Sequence, residues 1–285
     1  MDASTGKRGI ATSSKAVVWR ARPKQSEANP AAPAYRTMEV RTVGTRQPIP
    51  ARILLTANDF EFRHRSLILI AIYLLAFAFW PLDRRDVAGF IAQLLPVGMS
   101  PTQMGYLVVA VPAVLAACIG TWVYAYLPAV EGLHPRLDQL VTAGPYRFVR
   151  HPLYLGTILS LLSFACLLNR LGLLIVAAGT IAFVYRLISR EEMELVAVHG
   201  PRYQKYIEAV PRLIPAARPR VPRGTALANW RDGFAGGAYL WLLAASLVVL
   251  AASLKESLFY ATLMAAFATK LISVRLAGRP ANAAT

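Results

Sequence analysis

From Val87 to Val130 the chain reads V-A-G-F-I-A-Q-L-L-P-V-G-M-S-P-T-Q-M-G-Y-L-V-V-A-V-P-A-V-L-A-A-C-I-G-T-W-V-Y-A-Y-L-P-A-V, forty-four residues without an Asp, Glu, Lys or Arg. As one helix it would be about 66 Å long, twice the thickness of a hydrocarbon core. It must therefore fold back or lie partly flat, and Gly98-Met99-Ser100-Pro101 carries the turn signal for that. Residues Met104–Val130 alone are long enough to span, with a kink expected at Pro112.

Working outward, Ser66–Trp80 is an apolar run closed by Pro81 and the charge-neutral cluster Asp83-Arg84-Arg85-Asp86. On the other side, Leu153–Leu168 and Leu171–Ile188 pair as a hairpin about Asn169-Arg170. Phe234–Leu254 and Leu258–Ile272 form a second hairpin, turning at Lys255-Glu256. The expected fold is an all-α, polytopic transmembrane bundle. It has six spans if Val87–Met99 is interfacial or re-entrant, and seven if that stretch crosses.

Composition agrees. Of 285 residues 56% are hydrophobic and only 16% charged, with a mean hydropathy of +0.44. A soluble domain averages about 25% charged residues. Thirty-one Lys and Arg against fifteen Asp and Glu give a net charge of +16. A soluble nucleic-acid binder would carry such charge on a wet face, so no nucleic-acid partner is expected. Disorder of the whole chain is excluded by its apolar content. Cys118 and Cys166 lie in apolar stretches with no metal spacing and read as small buried hydrophobes. No apolar core follows Met1, which argues against a secretory signal.

Residues 1–65 hold twelve basic and five acidic residues and read as a basic, disordered tail beside anionic lipid. Residues 66–232 form the membrane core, 233–276 an additional hairpin and 277–285 a short tail. With six spans, 27 of the 31 basic residues fall on one side and four on the other. By the positive-inside bias, the polar loops 131–151 and 189–232 face the cytoplasm. With seven, the tail falls outside.

Two polar segments flank the first hairpin. Residues 142–156 read T-A-G-P-Y-R-F-V-R-H-P-L-Y-L-G. Gly144-Pro145 is a turn signal, and Pro152 suits the first position of a helix. Arg150 and His151 then sit at a helix N-terminus, where unpaired N–H groups and a guanidinium make an anion site. An interfacial anchor is the alternative, with Arg on lipid phosphate and Tyr in the aromatic belt. The second segment carries Arg186 and Arg190-Glu191-Glu192-Met193-Glu194-Leu195, then Gly200-Pro201, Tyr203, Tyr206 and Val210-Pro211-Arg212-Leu213-Ile214-Pro215. Glu191 and Glu192 lie where a span emerges, and at least one can turn toward the core to accept hydrogen bonds from an ammonium or ribose hydroxyls. Arg190 and Glu194 are spaced for a helical ion pair. Gly200-Pro201 ends the helix, and Tyr203, Tyr206 and Val210 share one packing face of the next. His64, His134 and His199 form no ligand pattern, so no metal site is expected. No GxSxG, Walker or GxGxxG motif occurs.

The order and spacing of G-P-Y-R-F-V-R-H-P-L-Y-L-G at 144–156, R-E-E-M-E-L at 190–195, G-P-R-Y-Q-K-Y at 200–206 and V-P-R-L-I-P at 210–215 resemble the isoprenylcysteine carboxyl methyltransferase and phospholipid N-methyltransferase families. The resemblance covers about 110 residues, from 104 to 215. It implies a membrane methyltransferase that uses S-adenosylmethionine at the cytoplasmic surface. The implied cofactor residues are Tyr146, Arg150, His151, Pro152, Tyr154, Gly156, Glu191 and Glu192. The methyl acceptor is then a lipophilic small molecule or lipid-modified substrate. If it is a carboxylate, Arg186 or Arg190 is placed to hold it. The Gly-x-Gly piece of the phospholipid branch is missing here, and Gly120 stands alone. An NADPH-dependent reductase of the sterol type and a non-enzymatic lipid-binding protein are the alternatives. The hairpin at 234–276 lies outside the resemblance.

Overall fold

Residues 56–83, 85–94, 100–127 and 140–277 are described by a computed structural model. Residues 1–55, 84, 95–99, 128–139 and 278–285 lie outside them, and with them most of the basic tail, His134, the Gly98-Met99 turn and the short C-terminal tail. The elements in chain order are α1 (Asp59–Arg63), α2 (Arg65–Ala78), α3 (Val87–Gln93), α4 (Pro101–Tyr124), α5 (Pro152–Ala165), α6 (Arg170–His199), α7 (Pro201–Ala209), α8 (Trp230–Ser253) and α9 (Glu256–Ala277). Among the described residues there is no strand, only an isolated bridge between Asp86 and Asn169. The expected all-helical class holds.

Five helices are long and apolar enough to cross a membrane: α2 with the turn that follows it, α4, α6, α8 and α9. The apolar α5 is shorter, at fourteen residues. Leu67, Ile70, Leu74 and Phe77 on α2, and Met264, Phe267 and Leu271 on α9, point outward and exposed, as a lipid-facing surface requires. The protein is an integral membrane protein in contact with lipid. α3 has seven residues, about 10 Å, and cannot cross. It is tied instead to the turn after α5, with Val87 N donating to Leu168 O (3.1 Å) and Ala88 N to Cys166 O (2.9 Å).

α4 is the central helix. It runs unbroken through Pro112 and buries a stripe of small residues, Gly105, Ala110, Ala113, Ala116, Ala117 and Gly120. Without a hydrophobic drive between helices in lipid, such residues let backbones approach and gain dispersion contact. The most extensive partner is α8. A Cβ on Gly233 would lie 2.7 Å from Thr121 O, so that position admits no side chain. Trp241 Nε1 donates to Thr121 Oγ1 at 2.9 Å across the same interface. The second hairpin turns at Leu254, whose φ of 55° is left-handed.

Two readings need correction. Cys118 is exposed and Cys166 only partly buried. On a membrane helix the outer face meets lipid, so an apolar residue gains nothing by turning inward. The end of the presumed tail is also structured. Residues 59–63 form α1, capped by a reciprocal pair in which Glu61 N donates to Asn58 Oδ1 and Asn58 N to Glu61 Oε2, both at 2.8 Å. Ala57 N then docks it on Arg186 O at 3.1 Å.

Asn169 holds the connecting end of the first hairpin, between α5 and α6. It is fully buried, accepts from Gly172 N at 2.7 Å as the cap of α6, and donates to Phe79 O at 2.8 Å. Asn169→Ala removes a helix cap and the tie to Phe79 O, which keeps only its bond from Leu82 N, so it is expected to cost about 1–2 kcal/mol. Thermal unfolding of the detergent-solubilised protein measures this; an unchanged Tm would show that the cap carries no load.

Candidate functional site

α6 has thirty residues, about 45 Å, so its last turns stand clear of a 30 Å core. Glu191 and Glu192 lie on those turns, level with the start of α5. Gly144 opens the turn leading to α5. Its φ is +58°, and a Cβ there would meet the Tyr126 ring at 2.4 Å, so both backbone and space demand glycine. Pro152 takes the first position of α5 behind His151, as its fixed φ and missing N–H allow.

A strap after α7 runs back along this turn. Arg150 N donates to Pro211 O (2.9 Å), His151 N to Arg212 O (3.2 Å), Ala216 N to Phe148 O (2.9 Å) and Arg220 N to Arg147 O (2.8 Å). The amide groups of Arg150 and His151, expected to be open to an anion, are thus satisfied by the chain's own carbonyls. A helix N-terminus is legible locally, but the segment that fills it arrives from sixty residues downstream.

The two carboxylates differ. Glu192 is 6% exposed and meets three cationic or imidazole groups from two segments. His151 Nε2 is 3.1 Å from its Oε1, Arg150 Nε 3.2 Å, and Arg212 donates Nε to Oε1 at 3.3 Å and Nη2 to Oε2. The Arg150 guanidinium also donates Nη1 to Ile207 O, which ties α7 to the cluster. Glu191 has lighter partners, His151 Nδ1 at 3.9 Å and the Tyr154 hydroxyl. Two buried nitrogens, Arg150 Nε and His199 Nε2, make no hydrogen bond. Burial pushes the phenols of Tyr146, Tyr203 and Tyr206 above their ordinary range, which keeps them neutral donors. Tyr206 spends its proton on Tyr146 O at 2.7 Å. As expected, Tyr203, Tyr206 and Val210 pack together as one buried face.

The remaining candidates lie apart from this cluster. Gly156 is buried against Ala116 and Ile119 of α4, where a Cβ would make ordinary contact. Arg190 pairs with Glu194 at 2.9 Å, as its spacing predicts, and with Asp59 at 2.6 Å. Arg186 takes both oxygens of Glu61 at 2.9 and 2.7 Å. That pairing holds the Glu61 carboxyl below the usual carboxylate range. Both guanidiniums therefore anchor α1, with Phe62 under Arg190 at 4.9 Å. Arg212 was not singled out from sequence. The signal for it was a buried glutamate that needs more positive charge than Arg150 supplies. Beside Arg150, an open groove of about 530 Å³ is lined by Ile207, Glu208, Pro211, Ile214 and Arg220. Among the described residues, no three His, Cys, Asp or Glu are grouped to hold a metal ion.

Glu192→Gln would leave Arg150 and Arg212 facing each other without compensation. Breaking a buried pair from one side costs about 3–5 kcal/mol. Glu191→Gln, which leaves the Arg150 and Arg212 contacts to Glu192 in place, is expected to stay within about 1 kcal/mol. Thermal unfolding of the two variants in one detergent decides it, and equal Tm losses would overturn the asymmetry.

Residues 104–197 match the isoprenylcysteine carboxyl methyltransferase (ICMT) family. A methanethiol S-methyltransferase of Crocosphaera subtropica is 39% identical over 74 residues, covering 26% of this chain and 28% of that protein. Methanethiol S-methyltransferase 1 of Bradyrhizobium diazoefficiens is 38% identical over 97 residues, 30% of this chain and 33% of its own length. The cobalt-zinc-cadmium resistance protein CzcN of Cupriavidus metallidurans is 25% identical over 169 residues, 58% of this chain and 70% of its own. The chain thus spans a third or less of the two methyltransferases it matches. No solved structure matches it. The segment that matches this family, residues 104–197, carries most of α4, the Gly144–Gly156 motif and the paired glutamates.

Proposed function

We propose that this protein transfers the methyl group of S-adenosylmethionine to a small or lipophilic acceptor at the inner membrane surface. The observation that carries the reading is the meeting of Arg150, His151 and Tyr154 with Glu191 and Glu192 at one end of the bundle, inside the family segment. S-adenosylmethionine carries a carboxylate, an ammonium, ribose hydroxyls and a sulfonium, so its site needs cationic, acidic and neutral donor parts together. The residues present fit that need. Arg150 Nε is buried without a hydrogen bond, Glu191 keeps acceptor capacity beyond Tyr154, and the Tyr146 phenol is a neutral donor. Glu191 and Tyr154 would take the ammonium or ribose, and Arg150 with Tyr146 the carboxylate. Glu192 positions Arg150 and His151 from behind. Pro152 and Gly156 set the course of α5 under the site, and Arg186 and Arg190 act through α1.

When bound, the cofactor would supply an electrophilic methyl on sulfur to the acceptor's lone pair, with the thioether as leaving group. The protein's part is then alignment and exclusion of water, worth several kcal/mol when reacting atoms are held in line. A strong base is not required for an acceptor that is already anionic. The names of the two methanethiol methyltransferases support a sulfur acceptor, and the membrane setting supports a lipophilic one. The placement of 27 of 31 basic residues on one side under six spans supports the cytoplasmic face.

Calorimetric titration of the detergent-purified full chain tests this. Binding of S-adenosylmethionine on the order of micromolar is expected, weakened at least tenfold, or about 1.4 kcal/mol, by Glu191→Gln at unchanged Tm. Binding of NADPH with none of S-adenosylmethionine would overturn the reading.

A further inference from the structure

The strap that follows α7 continues as irregular chain to the start of α8. It begins at the head of α5, where Arg150 N and His151 N donate to Pro211 O and Arg212 O. It is stitched down by Ala216 N on Phe148 O, Arg220 N on Arg147 O and Gly224 N on Thr142 O, and ends with Asn229 N on Ala125 O at 2.7 Å. Ala125 closes α4 and Trp230 opens α8. The strap therefore runs between helix ends that all lie at one end of the bundle, level with the place where α4 and α8 leave the membrane. Its backbone suits that depth. Pro215, Pro219 and Pro222 have no N–H to satisfy, and the four bonds just named spend donors on the chain's own carbonyls.

The side chains on this strap are of two kinds. From 212 to 231 there are five arginines and no Asp or Glu. Arg212 is spent on Glu192. Arg218, Arg220, Arg223 and Arg231 are exposed and, among the described residues, have no ion-pair partner. Glu208 lines the groove beside Arg220 without pairing with it, and the Asp232 carboxylate accepts from Asn229 Nδ2 at 2.8 Å. On the same strap Ile214 is 82% exposed and Leu227 81%, and Trp230 stands half-exposed at its end. Neither Ile214 nor Leu227 belongs to a helix, so a hydrocarbon-facing span does not account for them. Unpaired guanidiniums interspersed with bare apolar side chains match a headgroup layer, where phosphate meets the first and the acyl boundary the second. A nucleic acid or an acidic protein would match the arginines and leave Ile214 and Leu227 in water.

We propose that this strap is a docking surface for an anionic phospholipid leaflet. Arg218, Arg220 and Arg223 take the phosphate groups, and Ile214, Leu227 and Trp230 sit among the glycerol and first acyl carbons. The proposal names a partner surface and does not depend on methyl transfer. It has a consequence for the polar end all the same. The strap closes the Arg150 and His151 amides and brings Arg212 to Glu192, so lipid seated on it steadies that cluster from outside.

The test uses the full chain in dodecyl maltoside micelles and measures equilibrium binding of acyl-chain-labelled phosphatidylglycerol and phosphatidylcholine. Phosphatidylglycerol should bind at least about tenfold more tightly at low salt, and added salt should erode that preference. The triple variant Arg218→Gln, Arg220→Gln, Arg223→Gln should lose the preference, while the corresponding triple change to Lys should keep it. Phosphatidylcholine binding and Tm in lipid-free micelles should be unchanged in both, because these side chains hold no other part of the chain. Equal binding of the two lipids by the unaltered chain would overturn the proposal. So would a preference that survives in the Gln variant, since other basic segments would then carry it. A second measurement locates the strap. Amide hydrogen exchange over residues 214–229 should slow when phosphatidylglycerol nanodiscs replace phosphatidylcholine nanodiscs, and should not slow in the Gln variant. Equal exchange in the two would place the strap in water and overturn the proposal. Retention of a poly-uridine oligonucleotide by the unaltered chain alone, with no lipid preference, would assign the arginines to nucleic acid instead. S-adenosylmethionine titration of the same samples fails or succeeds separately, so loss of the methyltransferase reading leaves the lipid result standing.

Discussion

One carboxylate organises the polar end of this protein. Glu192 leaves the last turns of α6 and is met by His151 and Arg150 from the start of α5 and by Arg212 from the strap. A buried charge is tolerable only with its partners in place, and here the glutamate and its partners come from three separate stretches of chain. The turn at 144–151, the strap at 211–224 and the emergent part of α6 therefore assemble together or not at all. The backbone bonds between strap and turn, and the Arg150 bond to Ile207 O, then fix α7 as well. What looks in sequence like four short polar motifs is one mutually dependent structure.

The membrane part answers to different physics. Between α4 and α8 the contact is made by glycine and alanine at backbone distance, with Trp241 donating to Thr121 across it. α2 and α9 lie at the periphery and keep most of their apolar surface for lipid. The polar end is thus mounted on a tightly packed centre with more loosely held flanks.

Much of this was legible because it is local. The hairpin at Asn169, the helix start at Pro152, the break at Gly200-Pro201 and the turn near Lys255 each announce themselves through residues within a few positions of one another. The Arg190–Glu194 pair follows from helical spacing alone. What was not legible is long-range. Arg186 finds Glu61 across 125 residues, and Arg212 reaches Glu192 only because the chain reverses after α7. The amides of Arg150 and His151 looked open because the strap that closes them leaves no trace near them in sequence. Cys118 was misjudged for another reason: the habit of placing small apolar residues inside presumes water outside.

Counting formal charges over the inner cluster, and leaving the imidazole aside, Arg150 and Arg212 balance Glu191 and Glu192 one for one. The opposite charges of these four groups offset one another, which lowers the cost of burying them. Neutrality also acts as a filter. A ligand bearing one sign would leave a residual charge in a place of low dielectric. A ligand bearing both signs can trade partners with the cluster, anion for anion and cation for cation, and leave the sum nearly where it was.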